Sequence, residues 1–405
     1  MLNPTRPGPR LLVTNASEIC VPDRDGPGVQ RHAGHALYIQ DGRIAWRGPA
    51  DQVPEAAATA PQFDAQRRAV VPTLVDCHSH LVWGGERIAD FARRARGMSY
   101  AEIAAEGGGI LTTVTGTREA AFEDLLSAAR QRLEQRQAYG VFTTEIKSGY
   151  GLTEAHELRM LEVVAALRAE GWDVEGTLLA AHAIPKDIPR QEWVEAITTR
   201  LIPEVAAKGW ARFVDAFVER GAYTLEEART VFEAARAHGL RAKVHADQIT
   251  AGGGAELAAE MGAVSADHLE NISDSGLEQM AAAGVVAVLL PGAMVYLGDA
   301  APQLGRRLVD AGVQVAVATD TNPGSSPTQN LPLMATLATT MMGLSCEQAL
   351  RAVTLGGAAA LARTDVGSLE LGQRGQFIVL NAADSRALVS SFGEPVVAEM
   401  VVCAD

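Results

Sequence analysis

Residues 70–85 read VVPTLVDCHSHLVWGG, an apolar run ending in two histidines one residue apart, just before a Gly-Gly turn. Along a β-strand, residues i and i+2 project to the same side. His78 and His80 therefore share a side at a strand's carboxyl end, while Cys77 and Ser79 face the other way. Two neutral imidazoles so placed can share a metal ion, or the pair can be incidental. The rest of the chain has to separate these readings.

Outward from this stretch, apolar runs alternate with amphipathic helical segments from Val71 to Asp320. The runs are TLVDCHSHLV, VFTTEIK, VEGTLLAAHAI, ARFVDAFVE, RAKVHAD, GAVSADHL, VVAVLLP and VQVAVATD. Helices are expected at 118–138, 154–170, 191–208, 224–238, 273–283 and 300–311. Continuous apolar runs suit strands buried on both faces. Eight strand–helix units over about 250 residues are the pattern of an α/β (β/α)8 TIM-like barrel. A doubly wound sheet is the alternative, but no Gly-x-Gly-x-x-Gly fingerprint follows the first strand. The glycine-rich AEGGGIL (105–111) follows a helical segment and carries no Lys-Ser/Thr, so it reads as a loop near the barrel mouth.

The flanks differ. Residues 10–72 hold short strand-like runs, LLVTNA and then ALYIQDGRIAWRG, where Asp41-Gly42 signals a hairpin. The tail returns to strands with GQFIVLNA and PVVAEMVVCAD. The expectation is a smaller β-sandwich domain built from both termini, 1–70 plus 365–405, beside a barrel at 71–364.

Composition narrows the partners. With 35 basic and 49 acidic side chains the formal charge is -14, which argues against a nucleic-acid backbone as partner. The start of the chain lacks an apolar signal core and no long uncharged apolar run occurs, so a cytoplasmic protein without a membrane partner is expected. The four cysteines, Cys20, Cys77, Cys346 and Cys403, form no Cys-x-x-Cys pair and suggest neither a disulfide framework nor a structural zinc site. Assembly is open, with a homodimer as one expectation.

Barrel enzymes place their chemistry at the carboxyl ends of the strands. Those ends carry His78 and His80, Lys147, His182, Glu219, His245, His268, Pro291 and Asp320, and thus five of the nine histidines. Singly, each has a bland reading: His182 as a core histidine, His245 and His268 as residues preceding helices, Asp320 as a turn aspartate. Jointly they are costly to bury unless paired or bound to a metal. His78, His80, His245 and Asp320 are expected to hold one Zn²⁺ or Fe ion, leaving a position for water. Such an ion brings the pKa of its water near 7 in favourable zinc sites, giving hydroxide. Asp320 can also move a proton to a leaving nitrogen, and His268 can hydrogen-bond the water or the developing oxyanion. A second metal would want a carboxylated lysine at the fourth strand end, where Glu219 stands. Lys147 reads as a charge partner for Glu145 or a substrate contact. His32, His35, His156 and His238 read as solvated residues in loops or on helices.

The stretches VDCHSHLVWGGER, GGGILTTVTGTR, TTEIKSGYGL, AAHAIP, KVHADQ, SADHLE and ATDTNPGSSP resemble the amidohydrolase superfamily. Within it, GGGI with EIKSGYGL is similar to the imidazolonepropionase family. The resemblance implies hydrolysis of 4-imidazolone-5-propanoate to N-formimidoyl-L-glutamate in histidine degradation, with zinc or iron. It further implies that Arg87 binds the propionate carboxylate and that Tyr150 and His182 contact substrate. Asn322, Gly324 and Ser325 would hold the propionate or formimidoyl end. Two positions depart from the pattern. Gln248 stands where some members carry Glu, so it can orient substrate but cannot act as a base, which leaves proton transfer to Asp320 and His268. Thr321 replaces an expected aromatic. A ring deaminase on the same scaffold is the alternative enzyme, and a catalytically silent barrel acting as a binding protein is the alternative of another class.

Overall fold

The computed structural model describes residues 4–98, 102–103 and 106–404. Its strands in chain order are β1 (Leu11–Thr14), β2 (Glu18–Pro22), β3 (Val29–Ala33), β4 (His35–Gln40), β5 (Arg43–Pro49), β6 (Gln62–Asp64), β7 (Ala69–Pro72), β8 (Leu74–Asp76), β9 (Val141–Lys147), β10 (Val174–Ala181), β11 (Phe213–Val218), β12 (Arg241–Ala246), β13 (Ser265–His268), β14 (Val286–Leu289), β15 (Val315–Val317), β16 (Gln376–Leu380) and β17 (Val397–Val402).

Strands β8 to β15 form one parallel sheet in sequence order, with helices in the connections. Main-chain bonds past the ends of the first and last strands close it: Asp320 N–H donates to His78 O at 3.0 Å, and His80 N–H to Thr321 O at 2.9 Å. This is the expected barrel rather than a doubly wound sheet. Arg136, 1% exposed, pins the closure, with Asp76 at 3.2 Å and Thr144, Thr321 and Gln329 accepting its N–H groups. The Thr321 hydroxyl meets Arg136, Thr319 and the Thr328 carbonyl inside this seam, a space that an aromatic ring would overfill.

Outside the barrel, β5-β4-β1-β6 and β17-β16-β7-β2-β3 form two sheets, so strands from both ends of the chain pair with each other. Leu11, Val13, Ile19, Leu37, Phe377 and Val401 belong to one apolar layer shared by the sheets. The Asp41-Gly42 turn joins β4 and β5, with both residues at positive φ (52° and 69°), as a tight two-residue hairpin requires.

Some expected elements shift. The 118–138 helix is two, Ile110–Glu119 and Phe122–Gln137, because the chain extends at Ala120 and Ala121. Glycines 107–109 do form a loop, but a helix begins at Ile110, and Ala105 lies outside the described residues. The 191–208 helix carries a widened turn at Ile197–Leu201, and the 300–311 helix starts only at Leu304. His32 and His35 are not solvated loop residues. They lie in β3 and β4, half-buried and stacked with ring centroids 4.9 Å apart. His156 is also half-buried, its ring against the Thr153 hydroxyl at 2.6 Å. His238 is exposed, as expected.

Candidate active site

His78 and His80 follow β8, and both turn toward the end of β15. His78 Nε2 lies 3.5 Å and His80 Nε2 3.4 Å from Asp320 Oδ1. His245, near the end of β12, has its ring centroid 4.5 Å from that of His78 and 5.7 Å from that of His80. His268, the last residue of β13, joins the same cluster at 5.8 Å from His78 and 5.4 Å from His245. Alternation would send His268 and its neighbour Asp267 to opposite sides. A φ of 80° at His268 breaks the alternation, and Asp320 likewise adopts φ 50°. Left-handed backbone at non-glycine residues is costly and concentrates at functional sites.

The donor set suits a cation. His78 Nδ1–H donates to Asp267 Oδ2 at 2.6 Å, which leaves the Nε2 lone pair facing a carboxylate. That atom and the Nε2 of His245 are buried without a hydrogen-bond partner. Lone pair against carboxylate is repulsive unless a metal ion or a proton lies between them. The separations of 3.4 and 3.5 Å match the edge of a tetrahedron with metal–ligand arms of about 2.0–2.2 Å. Two overlapping triads have ligand atoms within 4.8 Å of one another: His78, His80 and Asp320, and His78, His245 and His268. Burial pushes His80 and His245 below the ordinary imidazole range, toward the neutral form a metal needs.

Around this cluster lie the other expected residues. Tyr150, 4% exposed, and His182 face His80, with ring centroids at 5.7 and 5.2 Å. Burial, with the neighbouring His80, holds the His182 imidazole down at about 3. The Tyr150 loop is fixed from below, where buried Glu157 accepts the N–H groups of Gly149, Gly151 and Leu152 at 2.8–3.0 Å. Arg87, 9% exposed, is held by Asp90 at 2.5 Å and Thr113 at 3.3 Å. Asp90 also accepts Gly109 N–H at 2.9 Å, so the GGGI stretch serves to anchor this arginine. A Cβ on Gly324 would lie 3.0 Å from Arg87 Nη1, and the next residue, Ser325, reaches Asp320 Oδ2 at 3.4 Å. Asn322 is engaged with its own loop through Asp320 O, Gly324 N and Ser325 N. Gln248 is half-buried after β12, and its main-chain carbonyl accepts from the Asn271 side chain at 2.7 Å.

Three strand-end residues stay outside the cluster, and one of them, Pro291, opens a helix as its first residue. Glu219 binds the N–H groups of Ile249 and Thr250 and the Thr250 hydroxyl, holding the loop after β12. Lys147 is fully buried, against Glu145 at 3.1 Å and Asp215 at 2.7 Å, so it is a charge partner rather than a substrate contact. Asp215 and Asp267, which contact His245 and His78, were missed among the strand ends. Their signal was present: an acid inside an apolar run, Asp215 in ARFVDAFVE and Asp267 in GAVSADHL.

The Amidohydrolase family model matches residues 86–402. The imidazolonepropionase of Deinococcus deserti is 45% identical over 392 residues, 94% of this chain and 96% of that protein. Those of Geobacillus kaustophilus and Acidiphilium cryptum are 43% and 47% identical over 88% and 84% of this chain, covering 86% and 85% of those proteins. Among solved structures, a 5-methylcytosine deaminase from Klebsiella pneumoniae liganded with phosphonocytosine matches with TM-score 0.74 at 18% identity, covering 96% of both chains. A guanine deaminase from C. acetobutylicum with bound guanine matches with TM-score 0.65 at 14% identity over 92% of this chain and 91% of that one. At such identities the deaminases share the fold alone, whereas the imidazolonepropionases match along nearly the whole sequence. This chain belongs to the imidazolonepropionase family of the metal-dependent amidohydrolases.

Proposed function

We infer that this chain hydrolyses the cyclic amide of 4-imidazolone-5-propanoate to N-formimidoyl-L-glutamate, a step of histidine degradation. The observation that carries the reading is the wall joining a buried guanidinium to the His/Asp cluster: Arg87 against Gly324, and Ser325 against Asp320. A ring bearing a carboxylate needs both ends of that wall, whereas a neutral base would leave the guanidinium unused.

His78, His80, His245 and Asp320 would hold one zinc or iron ion, which when bound supplies Lewis acidity and an activated water at neutral pH. Arg87 binds the propionate through its planar fork, pre-aligned by Asp90. Tyr150 and His182 bound the ring, and Ser325 and Gln248 orient it. His268 donates toward the oxyanion that develops on the ring carbonyl. Asp320 Oδ2, next to the Ser325 hydroxyl, takes the water proton and returns it to the departing ring nitrogen. Incubation of the purified protein with the imidazolone, followed by product mass, tests this reading. Ring opening adds one water with no ammonia released. Release of ammonia would instead identify a deaminase.

A further inference from the structure

Below the cluster, the barrel interior is charged where an apolar plug would be ordinary. Glu145, Lys147, Asp215, Lys243 and Asp267 are all fully buried. Lys147 Nζ lies 2.7 Å from Asp215, 3.1 Å from Glu145 and 3.5 Å from Asp267. Lys243 Nζ meets Glu145 at 2.7 Å and donates to Cys77 O at 2.9 Å. The Thr177 hydroxyl donates to Glu145 at 2.5 Å, and that of Ser265 to Asp267 at 2.6 Å.

Burying this many charges is expensive, and replacing a paired set with apolar residues is often neutral or stabilising. Stability alone therefore gives little reason for the network. Its upper contacts supply one. Asp267 takes Nδ1–H of His78 at 2.6 Å, while Asp215 lies 3.0 Å from His245 Nδ1 and accepts that residue's backbone N–H at 3.2 Å. Both carboxylates also contact Lys147. One ammonium group thus stands between two carboxylates, one bonded to the His78 ring and the other bonded to the His245 backbone and 3.0 Å from its ring nitrogen.

We propose that Lys147 is a positioning residue for the metal cluster, acting through Asp215 and Asp267 to hold the rings of His245 and His78 with their Nε2 atoms left for the ion. The inference rests on the metal-dependent reading above. It makes the two histidine orientations one coupled unit, because a change at Lys147 reaches both. Carboxylates that orient ligating histidines are worth about 10–100-fold in metal affinity, and residues in one ionic network are non-additive.

The test measures Zn²⁺ affinity of the full-length protein by competition with a chromogenic chelator, with folding checked by circular dichroism. Lys147→Met and Asp267→Asn are each expected to weaken Zn²⁺ by about 10–100-fold. The double variant should lose less than the product of the two single losses. A folded Lys147→Met protein within about threefold of the unsubstituted affinity overturns the proposal, as does a double loss equal to that product. Should Lys147→Met not be recovered folded, Lys147→Gln decides: about tenfold or greater weakening supports the proposal, and a smaller loss overturns it. Zn²⁺ binding by the unsubstituted protein reports on the metal-dependent reading itself, while the ratios between variants report only on the network.

Discussion

The backbone N–H of Asp320 donates to the carbonyl of His78 at 3.0 Å, so residues flanking the first and last barrel strands are joined through the main chain. The same seam carries Arg136, buried between Asp76 and Thr321, and it sets the separation of the Asp320 carboxylate from His78 and His80. Barrel closure and the site share these contacts.

Arg136→Met should consequently lower both stability and activity. Removing one partner of a buried ion pair leaves Asp76 uncompensated, at a cost of about 3–5 kcal/mol. Urea denaturation reads the loss. A midpoint unchanged from the parent protein would show that the seam does not depend on this arginine.

Arg87→Ala should raise KM by about 10–100-fold, the worth of a charge-assisted hydrogen bond, with kcat changed much less. Asp90→Asn should move KM in the same direction by less, because it loosens the guanidinium without removing it. Steady-state kinetics on the imidazolone checks both. An unchanged KM for Arg87→Ala would favour a substrate without a carboxylate.

The barrel and the line of strand ends were legible because each apolar run is short and ends in a residue of distinct chemistry. What the runs concealed was their own alternation. Glu145 and Lys147, Lys243 and His245, and Ser265 and Asp267 stand two apart, which places each pair on one side of its strand. A reading that treats the strands as uniformly apolar passes over this polar interior. The positive φ at His268 was equally hidden, since no residue type announces it. Thr321 departs from the aromatic expected there because its hydroxyl serves the Arg136 seam, a contact between distant segments that the local sequence does not carry.

Gly149→Ala should reduce kcat/KM by about tenfold or more. Gly149 has φ 110°, and a Cβ there would lie 2.9 Å from His182 Nδ1 and from Leu179 O. Strain of this kind costs about 1–3 kcal/mol. The thermal transition should fall as well, and a parent-like kcat/KM would show that the Tyr150 loop tolerates displacement.

On the barrel exterior, Arg190 holds the Glu227 carboxyl down at about 2, aided by Thr224. A depressed folded-state pKa contributes stability above the ordinary Glu range, and that contribution is lost as pH falls toward 2. Glu227→Gln should therefore lower the melting temperature at pH 7, with the difference from the parent protein shrinking below about pH 4.5. A difference constant between pH 7 and pH 3.5 would contradict this assignment.

The most direct measurement is anomalous diffraction from crystals of the protein, recorded at the zinc and iron absorption edges. A single peak is expected about 2.0–2.2 Å from His78 Nε2, His80 Nε2, His245 Nε2 and Asp320 Oδ1. Two peaks, or one peak bound by His268 in place of His80, would contradict it.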